Sequence, residues 1–579
     1  MSNHELPKVL VPAYPYEAGM AHGLLSPFEP GTRTLPAGHQ VGSRFRPLPV
    51  EIVFEKDVAV TLRDGVTIYT DVFRPTGETK MPVLIAWSPY GKSGGTAPKT
   101  TGLYDLLGID NGMLSGLAKF EGPDPAFWCA RGYAVCNPDP RGIARSEGDA
   151  HLIGRQEAQD CYDLIEWLAG QGWCSGRVGM SGTSYLAFSQ WFTAAERPPH
   201  LAAINPVEGL SDAYRDLVAP GGMPDPAFTQ RLQTNHVGSG RREDVVEEAA
   251  RFPHADHPVW QDKVPRFEAI EVPAYVVASY SNTLHTAGTF RAWRRMASER
   301  KWLRIHATQE WPDYYDAANH EDIARFFDRF LKGEDNGWDE TPRVRYAVHD
   351  MKGGDLTHQP AASFPPEGVV NTRFHLDARS RTLSPQPATQ PGEVAYDAEG
   401  EPGLASFVLR FDRETRLVGY PKLSLRVEAR GHDDMDLFAL VQKLDAQGTP
   451  LQQFTVPAQG ALMQDLTERG ASILRYKGSS GRLRVSARHL DPGLSTDEVP
   501  AHSFDRVEKL SPGEAVEVEI ALLPIGMAFG PGEQLRLVVS ARNLLGGMMP
   551  GTAPFVPDNR GQHVIHTGAS SYLQLPVMA

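Results

Sequence analysis

Residues 178–187 read V-G-M-S-G-T-S-Y-L-A, and the order of residue types in that stretch decides the fold. An apolar run ends at Met180 as a buried strand does, and a helix-like pattern opens near Tyr185. Gly182 stands two residues before Ser184, where a sharp strand-to-helix turn leaves no room for a side chain. Such an elbow lifts the Ser184 hydroxyl above a sheet and sets the next backbone N–H, that of Tyr185, beside an oxyanion forming there. G-x-S turns occur in many structural loops, so the flanking strand and helix patterns carry the reading. Ala187 takes the place of the second glycine of G-x-S-x-G and is small enough to pass a neighbouring strand. Ser181 lies too early, still on the strand side.

Outward from the elbow, short continuous apolar runs recur: P-V-L-I-A-W, G-Y-A-V-C-N-P-D, V-P-A-Y-V-V-A-S-Y and K-W-L-R-I-H. Helical patterns separate them, as over 156–170, with apolar Cys161, Leu164, Ile165 and Leu168. Strands alternating with helices predict a mostly parallel sheet covered on both faces. Ahead of it, 50–75 alternates on either side of Asp64-Gly65 and predicts an antiparallel pair with a tight turn. Residues 206–271 are polar, show no strand pattern and predict a helical cap over the C-terminal edge of the sheet. From about residue 345 short alternating segments such as L-S-L-R-V and L-R-L-V-V, spaced by turns, predict an all-β sandwich or jelly roll. The expected division is a Pro- and Gly-rich N-terminal extension (1–49), an α/β domain (50–344) with its cap at 206–271, and a β domain (345–579).

Composition narrows the function. Over 579 residues, 41% hydrophobic and 22% charged describe a globular chain with a large core. No apolar run is long enough to span a membrane. The start of the chain has no basic patch followed by an apolar stretch, so no secretory leader is expected. Four cysteines without a C-x-x-C pair rule out a disulfide framework. Cys129, Cys136, Cys161 and Cys174 sit in apolar surroundings and are expected in the core, and the expected home is the reducing cytoplasm. A net charge of −14 with no basic run argues against nucleic-acid binding.

Taken together, these segments resemble the cocaine esterase, α-amino-acid ester hydrolase and X-prolyl dipeptidyl-peptidase family of serine hydrolases (the CocE/NonD type). The resemblance rests on D-G-V-x-I-x-x-D-V-F-R-P, S-P-Y-G-K at 88–92, D-P-R-G-I-A-R-S-E-G at 139–148, W-C-S-G-R-V-G-M-S-G-T-S-Y at 173–185 and F-F-D-R-F-L-K-G at 326–333. G-Y-P-K-L-S-L and P-G-E-Q-L-R-L are similar to the family's C-terminal jelly roll. It implies an α/β-hydrolase fold with a helical cap and a jelly-roll domain. It also implies Ser184 as nucleophile, Tyr90 as a side-chain oxyanion donor beside the Tyr185 amide, and hydrolysis of a small-molecule ester or amide through an acyl-serine. No cofactor is needed for this chemistry, and because relatives include dimers and larger assemblies, a homo-oligomer is expected.

The pattern breaks at the base. Where the family keeps its aspartate the chain has Ser281 and Asn282, and Glu310 stands where the family histidine would. Two histidines lie close by: His285, in T-L-H-T, and His306, the last residue of K-W-L-R-I-H. One reading exchanges the pair, with His285 as base and Glu310 orienting it; Asp313 or Asp316 could replace Glu310. A second uses His306. In a third neither histidine serves the serine, and the chain is a non-hydrolytic relative: an acyltransferase, a lyase or a ligand-binding scaffold.

Other signals carry plainer readings. A-W-S-P-Y-G-K-S at 86–93 nearly matches a phosphate-binding loop, but Ala86 replaces its first glycine and G-G-T-A-P follows where a helix must open. His254, Asp256 and His257 read as surface residues rather than metal ligands, Asp434 and Asp436 as a turn rather than a calcium site, and Asp139 and Arg141 as a loop brace.

Overall fold

A computed structural model of the chain describes residues 6–21, 25–77, 80–92, 102–105, 107–109, 111–456, 474–547 and 555–578. Ser93 and the G-G-T-A-P that follows it lie outside these residues.

An eleven-stranded sheet forms the first half of the molecule. Its centre is seven parallel strands in the spatial order Val344–Val348, Lys301–His306, Ala274–Ser279, Leu201–Val207, Cys174–Thr183, Met81–Ile85 and Ala134–Asp139. Antiparallel strands flank the block: Thr67–Pro75, Ile52–Thr61 and Gly31–Leu35 on one side, Leu356–Ala361 on the other. Every expected apolar run is one of these strands. Gly65, at φ 86°, makes the turn expected at Asp64-Gly65. Successive residues face opposite layers, which is why the runs are apolar without alternation. Val83 and Ile85 join a core with Cys161, Leu164 and Trp191 from the helices Arg155–Ala169 and Tyr185–Ala195. Leu84 faces the other way, against Trp128 and Phe327.

Three expectations need correction. Leu201–Val207 is a full central strand, so the sheet runs into the start of the segment expected to be a cap. That segment holds short helices joined by irregular chain, and Arg241–Glu243 is a strand, paired antiparallel with Leu10–Pro12. The residues at 1–49 are therefore woven in at two places, since Gly31–Leu35 also edges the large sheet. Finally, Val344–Val348 and Leu356–Ala361 belong to the α/β sheet rather than to the β domain.

Among the described residues the remaining chain builds antiparallel sheets of nine, four and two strands, with L-S-L-R-V inside Lys422–Arg430 and L-R-L-V-V inside Gln534–Ser540. All four cysteines are free and buried. Asp434 accepts from Met435 N, Ser486 N and Ser486 Oγ, and Asp436 pairs with Arg484, which makes both parts of a braced turn. Arg141 grips Asp160 with two nitrogens, and Asp139 pairs with Lys92, below the 88–92 loop. His257 caps a short helix and stacks on Phe252. Among the described residues no helix is long and apolar enough to cross a membrane.

Candidate active site

The strand Cys174–Thr183 runs into the helix Tyr185–Ala195 through one residue, Ser184, held at φ 56° and ψ −119°. A non-glycine residue at positive φ costs about 1–3 kcal/mol, and such strain persists only where its surroundings impose it. Here the Ser184 N–H is shared between the carbonyls of Val207 (3.1 Å) and Glu208 (2.9 Å). A Cβ on Gly182 would fall 2.5 Å from Leu186 Cδ2 and 2.8 Å from the Glu121 carbonyl, so the turn closes only on glycine. Across the elbow, Gly209 meets Ala187: a Cβ there would lie 2.8 Å from that of Ala187. The second small residue of the motif is thus matched by a glycine on the facing segment.

Ser184 is half-buried, and its Oγ lies 3.3 Å from His285 Nε2. The Tyr90 hydroxyl faces the same serine. Burial, reinforced by Glu121, pushes the Tyr90 phenol well above its usual range, so it remains a donor at any working pH. Its ring rests edge-on against Phe120 and Tyr185. The Tyr185 hydroxyl is held by Glu157 at 2.8 Å, which leaves its backbone N–H, the first of the helix and without an intrahelical acceptor, as the contribution to the site. Ser181 is buried between Asn205 Oδ1 and the Tyr314 hydroxyl, remote in role from the elbow.

His285 immediately precedes the helix Thr286–Arg295, and its ring is buried. Burial pulls the imidazole down to about 3, so it is neutral. Asn282 reaches its other nitrogen. Asn282 Oδ1 accepts the N–H groups of Leu284 (3.1 Å) and His285 (3.2 Å), which fixes the orientation of the amide. Asn282 Nδ2 therefore donates twice, to His285 Nδ1 (2.9 Å) and to Glu310 Oε2 (2.7 Å). With Nδ1 accepting, the imidazole proton sits on Nε2 and points at Ser184. Glu310 Oε1 is 3.7 Å from Nδ1 and has no hydrogen-bond partner among the described residues. Burial, with Glu208 and Glu121 nearby, raises the Glu310 carboxyl well above the ordinary range, so it is held neutral.

His306 is engaged elsewhere. Its Nε2 lies 2.6 Å from Glu208 Oε1 and its Nδ1 3.2 Å from Thr308 Oγ1. Asp313 forms a two-point pair with Arg304, and Asp316 caps the helix Ala317–Phe327. Of the sequence candidates, then, Ser184, Tyr90, Tyr185, His285 and Glu310 converge; His306, Asp313 and Asp316 do not reach the serine. Three residues missed by the sequence reading join them: Asn282 as the bridge, Glu208, and Glu121, whose carboxyl burial lifts to about 8 while Trp311 Nε1 donates to it. One donor atom each from Glu208, His285 and Glu310 lie within 4.8 Å of one another, close enough to hold a metal ion.

Comparison with known proteins bears on the family and the fold. Residues 64–309 match the model for the X-Pro dipeptidyl-peptidase S15 family, and 336–574 match that for the X-Pro dipeptidyl-peptidase C-terminal non-catalytic domain. The cocaine esterase of Rhodococcus sp. (strain MB1 Bresler) is 34% identical over 167 residues, 29% of this chain and 25% of that protein. A crystal structure of a CocE/NonD family hydrolase from Staphylococcus aureus superposes with a TM-score of 0.86 at 34% identity, covering 95% of this chain and 97% of the other. An α-amino-acid ester hydrolase shares the fold at a TM-score of 0.66 and 17% identity, covering 91% of this chain and 96% of its own.

Proposed function

The chain belongs to the CocE/NonD and X-Pro dipeptidyl-peptidase S15 family and is a serine hydrolase; from that premise we propose that it cleaves small-molecule esters through an acyl-Ser184 intermediate, with His285 as the base. The observation that carries this reading is the approach of His285 Nε2 to the oxygen of a strained Ser184 that Tyr90 also faces. In the proposed cycle the substrate carbonyl oxygen takes hydrogen bonds from the Tyr90 hydroxyl and the Tyr185 N–H. Ser184 Oγ attacks the carbonyl carbon and its proton passes to Nε2. That imidazolium then protonates the departing alkoxide, leaving the acyl-serine. Water, losing its proton to Nε2, attacks the acyl carbon; the C–Oγ bond then breaks, Oγ takes the proton back from Nε2, and the carboxylic acid leaves the restored serine.

Proton uptake at Nε2 requires the tautomer with hydrogen on Nδ1. Asn282 donates to Nδ1 and favours the opposite form, so the competent tautomer is the minor one, reached when Nδ1–H turns to Glu310 Oε1. The base is consequently weak, and leaving groups that need little help, phenols and activated alcohols rather than amines, are the natural substrates. The same feature supports a second reading. Slow activation of water prolongs the acyl-enzyme, so an amine or alcohol acceptor bound beside it would turn hydrolysis into acyl transfer.

Intact-mass spectrometry after incubation with a fluorophosphonate tests the assignment. Wild type and His306→Ala label at Ser184, Ser184→Ala does not, and His285→Ala labels at least tenfold more slowly. Equal labelling of His285→Ala and wild type, or loss on His306→Ala alone in a folded protein, overturns it.

A further inference from the structure

Lys119 has no solvent access, and among the described residues it lies within ion-pair distance of no carboxylate. Its ammonium donates instead to two backbone carbonyls, that of Ser88 at 2.6 Å and that of Pro138 at 2.5 Å. Lysines are almost never fully buried without a counter-charge, because the lost hydration is costly. Burial pulls this one down to about 8, so at neutral pH it is the charged form that holds the carbonyls. The sheet explains why a cation is needed there. The parallel strands Met81–Ile85 and Ala134–Asp139 stay paired as far as the Ala86 N–H, which donates to the Cys136 carbonyl at 3.0 Å. The next rung would take an N–H from residue 138, which is proline. At this point the strands part and the chain leaves the sheet for S-P-Y-G-K. Lys119 spans the gap, taking one carbonyl from each side.

Ser88 stands two residues before Tyr90 and Lys92 two after it. Lys92 is itself fixed by Asp57 and Asp139, so Tyr90 is strung between anchors made by two buried lysines. The segment that carries Lys119 also touches the rest of the centre. The Phe120 ring stands edge-on to Tyr90, 5.5 Å between centroids, and lies 6.0 Å from Trp311. The Glu121 carbonyl accepts the N–H of Thr183, the residue before Ser184, at 3.1 Å. The elbow and the Tyr90 loop are thus held against one segment, and Lys119 is its hydrogen-bonded tie to the loop. Oxyanion stabilisation depends on where the donor stands, and a misplacement of about 1 Å can cost about 10²-fold in rate.

We propose that Lys119 is a positioning residue for the oxyanion: by tying Ser88 to Pro138 it holds the Tyr90 hydroxyl where the substrate oxygen becomes charged. The inference rests on the reading of Tyr90 as the oxyanion donor. A double-substitution cycle tests it, with kcat and KM measured on p-nitrophenyl acetate for wild type, Lys119→Met, Tyr90→Phe and the double variant. Loss of an oxyanion donor costs about 10²–10³ in kcat, and that is the expectation for Tyr90→Phe. Lys119→Met fills a similar space without donors and should lower kcat about tenfold to a hundredfold, with KM within about threefold of wild type. In the Tyr90→Phe background the same substitution should cost less than about threefold, because the hydroxyl it positions is gone. A brace for the fold alone would lower kcat equally in both backgrounds or not at all. Either result in folded protein overturns the inference, as does a loss confined to KM. If Lys119→Met does not fold, Lys119→Gln, which keeps an N–H donor on a shorter chain, goes through the same cycle under the same criteria. If Tyr90→Phe alone leaves kcat unchanged, it is the oxyanion reading of Tyr90 that falls, and the role of Lys119 falls with it.

Discussion

Asn282→Asp should make the enzyme faster. The wild-type amide gives one hydrogen bond to Nδ1 at 2.9 Å, and that bond stabilises the tautomer unable to accept the Ser184 proton. A net contact of this kind contributes about 0.5–1.5 kcal/mol. Aspartate has the same shape, keeps the oxygen that accepts from the Leu284 and His285 amides, and turns the second oxygen on Nδ1 into an acceptor. The charge-assisted bond replacing it is worth about 1.5–3 kcal/mol. Removing the first and adding the second shifts the balance by about 2–4.5 kcal/mol, a gain of about 30-fold to 2,000-fold in kcat. This stays below the ~10⁴ lost when a serine protease exchanges its triad aspartate for asparagine. Glu310, already held neutral, faces the new carboxylate at the 2.7 Å position of the present contact and can donate its proton to it. The assay is steady-state hydrolysis of p-nitrophenyl acetate, with fluorophosphonate labelling of the same preparations as a second readout of serine reactivity. A folded Asn282→Asp enzyme within about threefold of wild type, or slower, would refute the tautomer argument and His285 as base with it.

Three other outcomes follow from the same geometry. Because His285 is neutral down to about pH 3, kcat/KM for an ester at pH 5 should stay within about twofold of its value at pH 7, whereas a base titrating at about 6.5 would lose roughly 25-fold; an acid limb centred near 6.5 in a pH–rate profile contradicts it. Asp313→Asn leaves the buried Arg304 guanidinium without its counter-charge and should cost about 3–5 kcal/mol, read as a fall in the urea midpoint; an unchanged midpoint removes Asp313 as the partner that matters. Gly182→Ala forces a methyl group against Leu186 and the Glu121 carbonyl at φ 140°, and should destabilise by about 2–4 kcal/mol and slow labelling of Ser184; wild-type labelling with an unshifted melt would mean that the elbow relaxes freely.

The elbow and the runs around it were legible because each depends on neighbours a few residues away: a glycine at a close approach, a strand with two apolar faces. The strand Leu201–Val207 was not. Asn205 and Pro206 imitate a turn, and they are tolerated centrally because Asn205 is paired on both sides, accepting from Ser181 Oγ and donating to the Tyr275 carbonyl. Losing that strand also hid Glu208, which follows it. The exchange of His285 and Glu310 could be read from their places after two parallel strands. The bridging role of Asn282 could not, because it depends on which end of an amide two backbone N–H groups select. Arg241–Glu243 escaped because three charged residues carry no period and their partner lies far back in the chain.

That last pairing also sets a clock on synthesis. Leu10–Pro12 meets Arg241–Glu243, Val9 N–H donates to Glu248 Oε1, and Lys8 pairs with Asp262 at 3.1 Å. At roughly 5–20 residues per second, a ribosome needs about 12–46 seconds to make the intervening ~230 residues. For that interval the first stretch of the chain leaves the exit tunnel with no partner to fold on, and it is open to chaperones or proteases until the far strand arrives.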